Sequence, residues 1–344
     1  MRTTAILTGL PTHLDHLGVL SSVLNIPLIV TDETNYQLAQ QYYPDLKVEY
    51  CDLSSLSLSY LADHFDMIFQ TGKFWAAQLS SSFQLLYGKK MRFVFCPHGN
   101  SDKGHSLKQH IEQDISLVYG QHLLDLLQCS GAYQKINRVI TTGNYRLPYY
   151  QQHKAFYETL AESAIFSRFT SKQPIILYAP TWHHDEHPTS FFSSVEAIIA
   201  QLSSEFNLVI KLHPLLLEDH LAHTLAIMLR YDHHPSALFI TDFPPIYPLL
   251  NRCSLYLGDY SSIGYDFLAF DRPLVFLTPD TASTPLSRCG LTLPTVDNLH
   301  HAISQELASS SHYASMRQRT YEYAFGPNRS LEAIRTALWE SLVN

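Results

Sequence analysis

The sequence has few charged residues and no excess of basic ones. Charged residues make up 16% of the chain, with 31 Asp and Glu against 23 Lys and Arg, which gives a formal net charge of −8. A general nucleic-acid-binding or anionic-membrane surface needs an excess of positive charge, so this balance argues against both. Any phosphate group must therefore be bound by a local cluster of side chains and backbone groups.

Cysteine and long apolar runs are also scarce. The five cysteines are scattered and form no CxxC pair, which argues against a disulfide framework or a zinc site. The opening segment, MRTTAILTGLPTHLDHLG, has only a short apolar run interrupted by Gly and Pro, too short for a signal peptide or a membrane span. We expect a first β-strand there and a cytoplasmic protein, with peripheral contact at the inner face of the membrane left open.

The length and the hydrophobic content of the chain are those of a globular protein. With 344 residues, 46% of them hydrophobic, it exceeds the length at which a single core keeps growing, so two domains are expected. Short β-branched or aromatic runs alternate with longer amphipathic stretches, which indicates βα units around parallel sheets. The predicted domains are residues 1–165 and 166–327, each Rossmann-like, followed by a closing helix over 328–344 that returns towards the first domain.

The predicted strands fall into two sets, one in each domain. The first set is 4–8, 27–31, 66–70, 91–96, 115–119 and 138–142. The second set is 174–178, 207–212, 237–240, 253–257 and 273–277.

Polar motifs follow several of these strands directly. RFVFC runs into Pro97, which ends its ladder, and then presents His98 beside Gly99. RVITT leads to Arg146, and IILY leads to Thr181. Because ligands of open parallel sheets bind beyond the carboxyl ends of the strands, we expect these groups at a ligand-binding rim.

The second domain adds two further motifs. In NLVIKLHP, period-two alternation places Lys211 and His213 on one face of a strand. Ser261 and Ser262 begin a helix whose free backbone N–H groups suit an anion, and Asp266 lies one turn further on, where it would face a ribose or polyol hydroxyl. Each motif alone is more often structural, but together they predict an anion-binding rim.

Two other features can each be interpreted in two ways, as functional or as structural. The cluster His183-His184-Asp185-Glu186-His187 has the residue types of a metal site, but adjacent residues on a loop seldom share a fixed face, so we favour a solvated loop and expect no metal. Tyr178 and Trp182 are candidates for a base pocket or for simple packing.

In order along the chain, these motifs resemble the CDP-glycerol glycerophosphotransferase family of teichoic acid primases and polymerases. The matching blocks are PHGNSDKG, TGNYR, ILYAPTWHHDE, IKLHP and GDYSSIGYDFLAFDRPLVFL, over roughly residues 90 to 280. The family has Thr-Pro where this chain has Asn100-Ser101, and frequently Arg where it has His183.

The resemblance implies a glycosyltransferase-B fold, with two Rossmann-like domains facing across a cleft and the second domain holding the CDP-activated donor. The family's two essential histidines correspond to His98 and His213. The residues expected to bind the donor's phosphates or nucleotide are Lys211, Ser261, Ser262, Asp266, Thr181, Gly99 and Arg146. The implied reaction transfers glycerol phosphate or a related phosphopolyol to a hydroxyl of a cell-envelope glycan or lipid-linked acceptor, releases CMP and needs no separate cofactor.

Two other functions remain open from the sequence. One is a nucleotide-sugar enzyme of the same fold, either a glycosyltransferase or a UDP-sugar 2-epimerase-like protein, because a fold alone does not set the chemistry. The other is a nucleotide-binding module without catalytic activity. Preference for CDP over UDP or GDP separates the first from the transferase, and nucleotide binding without turnover indicates the second.

Overall fold

The chain forms two compact units. The computed structural model describes residues 1–344 except 73, 103, 112, 183–188, 279–283, 310 and 344, and it describes no side chains for 74–77 and 104–106. The first unit comprises Met1–Gln152 and Glu322–Asn344, and the second comprises His153–Tyr321.

The first unit contains a seven-stranded parallel sheet in the order β3-β2-β1-β4-β5-β6-β7. Its strands are β1 (Thr3–Leu7), β2 (Leu28–Val30), β3 (Val48–Tyr50), β4 (Met67–Gln70), β5 (Arg92–Phe95), β6 (Ile115–Val118) and β7 (Val139–Thr141). All residues of β4 and β6, and all residues of β1 except Thr3, are buried, as expected where helices cover both faces of a parallel sheet.

The second unit contains a six-stranded parallel sheet in the order β10-β9-β8-β11-β12-β13. Its strands are β8 (Ile175–Ala179), β9 (Asn207–Lys211), β10 (Ala237–Ile240), β11 (Leu255–Gly258), β12 (Leu274–Leu277) and β13 (Leu291–Leu293). Apolar side chains of β8, β9 and β11 form its core together with one face of the helix over Phe191–Leu202.

Helices connect the strands in both units. They are α1 (Val19–Leu24), α2 (Glu33–Tyr42), α3 (Leu58–His64), α4 (Phe74–Tyr87), α5 (Gln121–Cys129), α6 (Arg146–Gln152), α7 (Lys154–Ala164), α8 (Phe191–Leu202), α9 (Pro214–Asp219), α10 (Leu221–Arg230), α11 (Tyr247–Arg252), α12 (Ser262–Phe267), α13 (Leu299–Ala308), α14 (Ala314–Phe325) and α15 (Leu331–Val343). None of the helices in the described part of the chain is both long and apolar enough to span a membrane.

Every strand predicted from the sequence is present, but β3 and β13 were not predicted. Both contain three residues and lie at a sheet edge. The residues of β3 and β13 are exposed or only partly buried, so neither strand has the continuous apolar run that marked the central strands.

The units divide between Gln152 and His153, whereas the predicted domain boundary lies at 165/166. Helix α7 belongs to the second unit because it packs against α11, where Glu158 accepts a hydrogen bond from Asn251 at 2.6 Å and Glu162 pairs with Arg252 at 2.8 Å. In the first unit, α15 packs against α1, and Arg335 donates from Nε to the carbonyl oxygen of Val23 at 2.6 Å.

Candidate functional site

Both sheets have a topological switch point, where the strand order reverses direction. In the first unit this point lies between β1 and β4, and in the second between β8 and β11. Loops at the carboxyl ends of the strands diverge there and leave a crevice, which is where open α/β sheets bind ligands.

His98 lies at the rim of the first unit, just beyond the carboxyl end of β5. The two residues between them, Cys96 and Pro97, are buried, whereas His98 is partly exposed. Gly99 follows with φ of 147°, a backbone conformation that residues carrying a Cβ rarely adopt. The turn that presents His98 therefore depends on glycine at position 99.

A second histidine, His13, contacts His98. Their ring centroids are 4.5 Å apart and the rings are inclined by 28°, so the imidazoles are stacked. His13 Nδ1 also lies 3.0 Å from the hydroxyl of Thr71, which follows β4. The loops after β1, β4 and β5 thus bring three polar side chains together around the switch point.

The segment after β1 also supplies a buried ion pair. Residues Leu14–Gly18 form a π-helical turn, a geometry often found at functional sites. Asp15 in this turn accepts hydrogen bonds on Oδ2 from Nε of Arg146 at 3.1 Å and from a terminal guanidinium nitrogen at 2.6 Å. Arg146 is 3% exposed and Asp15 is 6% exposed. This contact gives Arg146 a structural role that the sequence did not predict, and its predicted contact with a donor phosphate stays a prediction.

His16 occupies the same turn and is held as a neutral imidazole. Its Nδ1 lies 2.6 Å from the hydroxyl of Tyr119. Burial lowers the pKa of His16 well below its usual value, and the nearby Arg146, His98 and His13 lower that pKa further. The first-unit rim therefore combines an arginine with several imidazoles that disfavour one another's protonation.

In the second unit, Asp259 joins the loops that flank the switch point. Its Oδ2 accepts hydrogen bonds from the backbone N–H of Thr181, at 2.7 Å, and from that of Ser190, at 3.3 Å. The backbone at residue 258 can lie close to Ala179 because residue 258 is glycine. A Cβ at this position would lie 2.5 Å from the carbonyl oxygen of Ala179. Asp259 therefore holds the backbone at Thr181, just after β8, close to the backbone at Ser190, where α8 begins.

His213 has a defined hydrogen-bonding arrangement. It caps α9, and its Nδ1 accepts a hydrogen bond from the backbone N–H of Leu215 at 3.2 Å. A nitrogen that accepts a hydrogen bond carries no proton, so this cap favours the neutral tautomer with its proton on Nε2. Nε2 is then the hydrogen-bond donor, and Trp182 lies beside the ring with centroids 6.2 Å apart.

Lys211 and Tyr178 are both buried near this rim. Lys211 is the last residue of β9 and is 5% exposed. Tyr178 is fully buried and its hydroxyl lies 2.9 Å from that of Ser190, which agrees with the packing interpretation.

The serine motif lies at the carboxyl end of β11. Ser261 is the N-terminal cap residue of α12, but its hydroxyl lies 3.1 Å from that of Tyr256 and does not cap the helix. Ser262 begins the helix and is partly exposed. Asp266 is 3% exposed and accepts a hydrogen bond from Tyr247 at 3.1 Å, so its predicted contact with a ribose or polyol hydroxyl stays a prediction.

Two sequence features lie outside the described residues: the cluster His183-His184-Asp185-Glu186-His187, and Lys103 of the first histidine block. Among the residues that are described, no three His, Cys, Asp or Glu side chains are grouped so that they would hold a metal ion.

The candidate residues at the carboxyl ends of the second-unit strands, here called the second-unit rim, lie inside a match to a known family. The family model described as CDP-Glycerol:Poly(glycerophosphate) glycerophosphotransferase matches residues 106–289, just over half of the 344-residue chain. The chain belongs to this glycerophosphotransferase family. The matched region includes Thr181, Lys211, His213 and Asp259, and it begins after His98.

Curated relatives align with only a part of the chain. The teichoic acid glycerol-phosphate primase of Bacillus subtilis (strain 168) is 29% identical over 136 residues, which are 39% of this chain and 31% of the primase. The teichoic acid poly(glycerol phosphate) polymerase of Bacillus spizizenii is 30% identical over 112 residues, which are 31% of this chain and 26% of the polymerase. The chain thus matches less than a third of the length of either relative.

Solved structures show the fold. The wall teichoic acid polymerase TagF superposes with a TM-score of 0.70 at 13% identity, over 100% of this chain and 90% of that one. UDP-GlcNAc 2-epimerase from Neisseria meningitidis superposes with a TM-score of 0.61 at 14% identity, over 99% of this chain and 100% of that one. The predicted glycosyltransferase-B-like fold and the predicted family are both confirmed.

The sequence prediction missed His13, Asp15, His16 and Asp259. The first three stand in THLDH, directly after the first strand and its Gly-Leu-Pro turn. The rule that singled out His98, polar residues just beyond a strand end, applies equally to that segment. Asp259 stands in the recognised GDYSS block, but its role depends on backbone contacts with residues 78 and 69 positions away, which no local pattern shows.

Proposed function

We propose that this chain transfers glycerol phosphate, or a related phosphopolyol, from a CDP-activated donor to a hydroxyl of a cell-envelope glycan or lipid-linked acceptor. CMP is the second product. The observation that carries the proposal is the family match over the second-unit rim, where Thr181, His213 and Ser261 surround the switch point of the sheet. The matched region contains all three of these residues.

In the proposed reaction the acceptor oxygen attacks the distal phosphorus of the donor. A new bond forms between that oxygen and the phosphorus, and the bond from the phosphorus to the bridging oxygen breaks, so that CMP leaves. His98 takes the proton of the acceptor hydroxyl as general base. Catalysis otherwise depends on positioning and on stabilisation of negative charge, as in other phosphoryl transfers.

The second unit is proposed to hold the donor. His213 donates a hydrogen bond from Nε2 to a phosphate oxygen of the departing group, and Lys211 supplies a positive charge that helps to neutralise the diphosphate. Ser261, Ser262 and Thr181 are proposed to contact phosphate oxygens through hydroxyl and backbone N–H groups, with Asp266 on the donor hydroxyls. Gly99 and Arg146 belong to the first unit, where Gly99 shapes the His98 turn. Contact with the membrane surface, if the acceptor is a lipid, is proposed to be peripheral.

The deciding experiment is incubation with radiolabelled CDP-glycerol and a lipid extract from the source of the protein. We expect label in the lipid phase and an equal amount of CMP. CDP-ribitol and UDP-GlcNAc in parallel incubations define the donor. Turnover of UDP-GlcNAc with no reaction of CDP-glycerol would overturn the proposal in favour of a nucleotide-sugar enzyme, and CDP-glycerol binding without turnover would indicate a binding module.

Calorimetric titration with CDP-glycerol, with and without EDTA, tests how the diphosphate is held. Backbone N–H groups and Lys211 are proposed to provide the positive field without an obligatory metal. We therefore expect the same affinity in both titrations. Loss of binding in EDTA would instead indicate a cation bridging the phosphates.

A further inference from the structure

His13 is a residue that neither the motif pattern nor the family match includes, yet it contacts the proposed general base. The family model begins at residue 106, after both His13 and His98. The two imidazoles stack with centroids 4.5 Å apart, and both side chains are partly exposed at the rim. The His13 ring therefore influences both the position of the His98 ring and the ease with which His98 is protonated.

The ring of His13 is itself held in place. Its Nδ1 is 3.0 Å from the hydroxyl of Thr71. Gly9 makes room for it, because a Cβ at position 9 would lie 2.7 Å from the same nitrogen. Residues that follow β1 and β4 thus fix His13, which in turn stacks on the residue that follows β5.

We propose that His13 is a positioning residue for His98, which orients the His98 imidazole by stacking and opposes its protonation. This inference rests on the proposed role of His98 as general base. A base must be unprotonated to accept the hydroxyl proton, and two stacked imidazoles cannot both become cationic without repulsion. His13 therefore keeps His98 competent at lower pH than an isolated histidine would be.

The other charged and titratable groups near His98 are neutral or are neutralised. Burial and the nearby His98 lower the pKa of His16 in the π-helical turn and of His110 in the turn over Gly104–His110, so both are neutral imidazoles. Arg146 of α6 is paired with Asp15. Among these groups, His13 is the one in ring-to-ring contact with His98, so its removal is expected to change His98 most.

The test compares the wild-type protein with His13→Phe, which keeps a stacked ring but removes the titratable nitrogens. A second variant, Thr71→Val, removes the hydroxyl that holds His13 and leaves both histidines in place. The control is His64→Phe: His64 stacks on Tyr60 with centroids 4.4 Å apart and an inclination of 29°, but it is exposed on α3, away from the strand ends.

The first readout is an NMR titration of the His98 imidazole. It uses protein that carries isotope-labelled histidine, in the absence of substrate. We expect His13→Phe to raise the pKa of His98 by about half a unit or more, Thr71→Val to raise it less, and His64→Phe to leave it unchanged. An unchanged His98 titration in folded His13→Phe would overturn the inference. Agreement of the NMR spectra outside the rim shows that the variants are folded.

The second readout is the pH dependence of kcat/KM for transfer from CDP-glycerol. We expect the acidic limb in His13→Phe to move to higher pH with unchanged donor affinity, because the donor is proposed to bind the second unit. If the wild-type protein does not transfer glycerol phosphate, the proposed function fails while the NMR titration still decides the role of His13. If the wild type is active and neither the limb nor the titration moves, the role of His13 fails and the proposed function stands.

Discussion

Arg146 and Asp15 are 131 positions apart and form a buried ion pair in which one carboxylate oxygen accepts two hydrogen bonds, at 3.1 and 2.6 Å. The pair joins the start of α6 to the π-helical turn that follows β1. It therefore fixes the segment that carries His13 and His16.

Arg146→Met should destabilise the protein, because it leaves the Asp15 carboxylate buried without its counter-charge. Breaking a buried pair in this way typically costs about 3–5 kcal/mol. Denaturation in urea measures the free energy of unfolding. The control is Arg230→Met, which breaks an exposed pair with Glu196 and should cost about 0–1 kcal/mol.

Equal stabilities of the two variants would contradict a structural role for Arg146. Calorimetry on folded Arg146→Met tests whether Arg146 also contacts a phosphate of the donor. Weaker CDP-glycerol binding would support its predicted phosphate contact, and unchanged binding would leave the ion pair as its role.

Replacement of the two proposed catalytic histidines should have different effects. His98→Ala removes the general base, so turnover should fall by about 10²–10⁴-fold while CDP-glycerol affinity is nearly unchanged. His213→Ala should reduce turnover and also weaken donor binding about tenfold or more, because it removes a charge-assisted hydrogen bond to phosphate.

His213→Asn separates catalysis from capping. Asparagine is a good N-cap residue and can accept the hydrogen bond that His213 accepts from Leu215, so the stability of α9 should be kept. Activity should still be lost. Tight CDP-glycerol binding by His213→Asn, or turnover at the wild-type rate by His98→Ala, would refute the assigned roles.

Asp259→Ala should release the backbone at Thr181 and Ser190 and weaken donor binding. The carboxylate accepts two backbone N–H bonds, and burying those donors without a partner costs about 1–3 kcal/mol each. We expect lower thermal stability together with a higher KM for CDP-glycerol. The control Asp242→Ala, at an exposed position of the same unit, should change neither quantity; an unaltered KM in Asp259→Ala would exclude a role in shaping the donor site.

Stability should fall on mild acidification because of His110. This side chain is 2% exposed, and burial together with the nearby His98 lowers its pKa from 6.5 to about 3. Below pH 6.5 the unfolded chain binds a proton that the folded chain does not, so stability is fully present above 6.5 and is lost as the pH falls towards 3, by at most about 1.4 kcal/mol per unit.

His110→Gln keeps a hydrogen-bonding group near Ser116 but cannot titrate in this range. Its unfolding free energy, measured from pH 7 to 4, should therefore depend less steeply on pH than that of the wild type. The exposed His64→Gln should keep the wild-type slope. A His110→Gln slope equal to the wild-type slope would show that another group is responsible.

The sequence predicted most of the fold and part of the candidate site. The central strands are continuous apolar runs, a local property, and the motifs after β5, β9 and β11 stand next to them. The edge strands β3 and β13 lack that property. The stacking of His13 on His98 and the bonds of Asp259 depend on which strands are neighbours, and the order of parallel strands is not written in any local pattern.

The first unit is discontinuous in sequence, while the second is a single continuous stretch, His153–Tyr321. The first unit therefore needs contacts between residues far apart in the sequence, such as those of α1 with α15. The entropy of closing a long loop opposes such a contact until the contact itself stabilises the fold. The unit that bears His98 has to close a loop that contains the whole second unit.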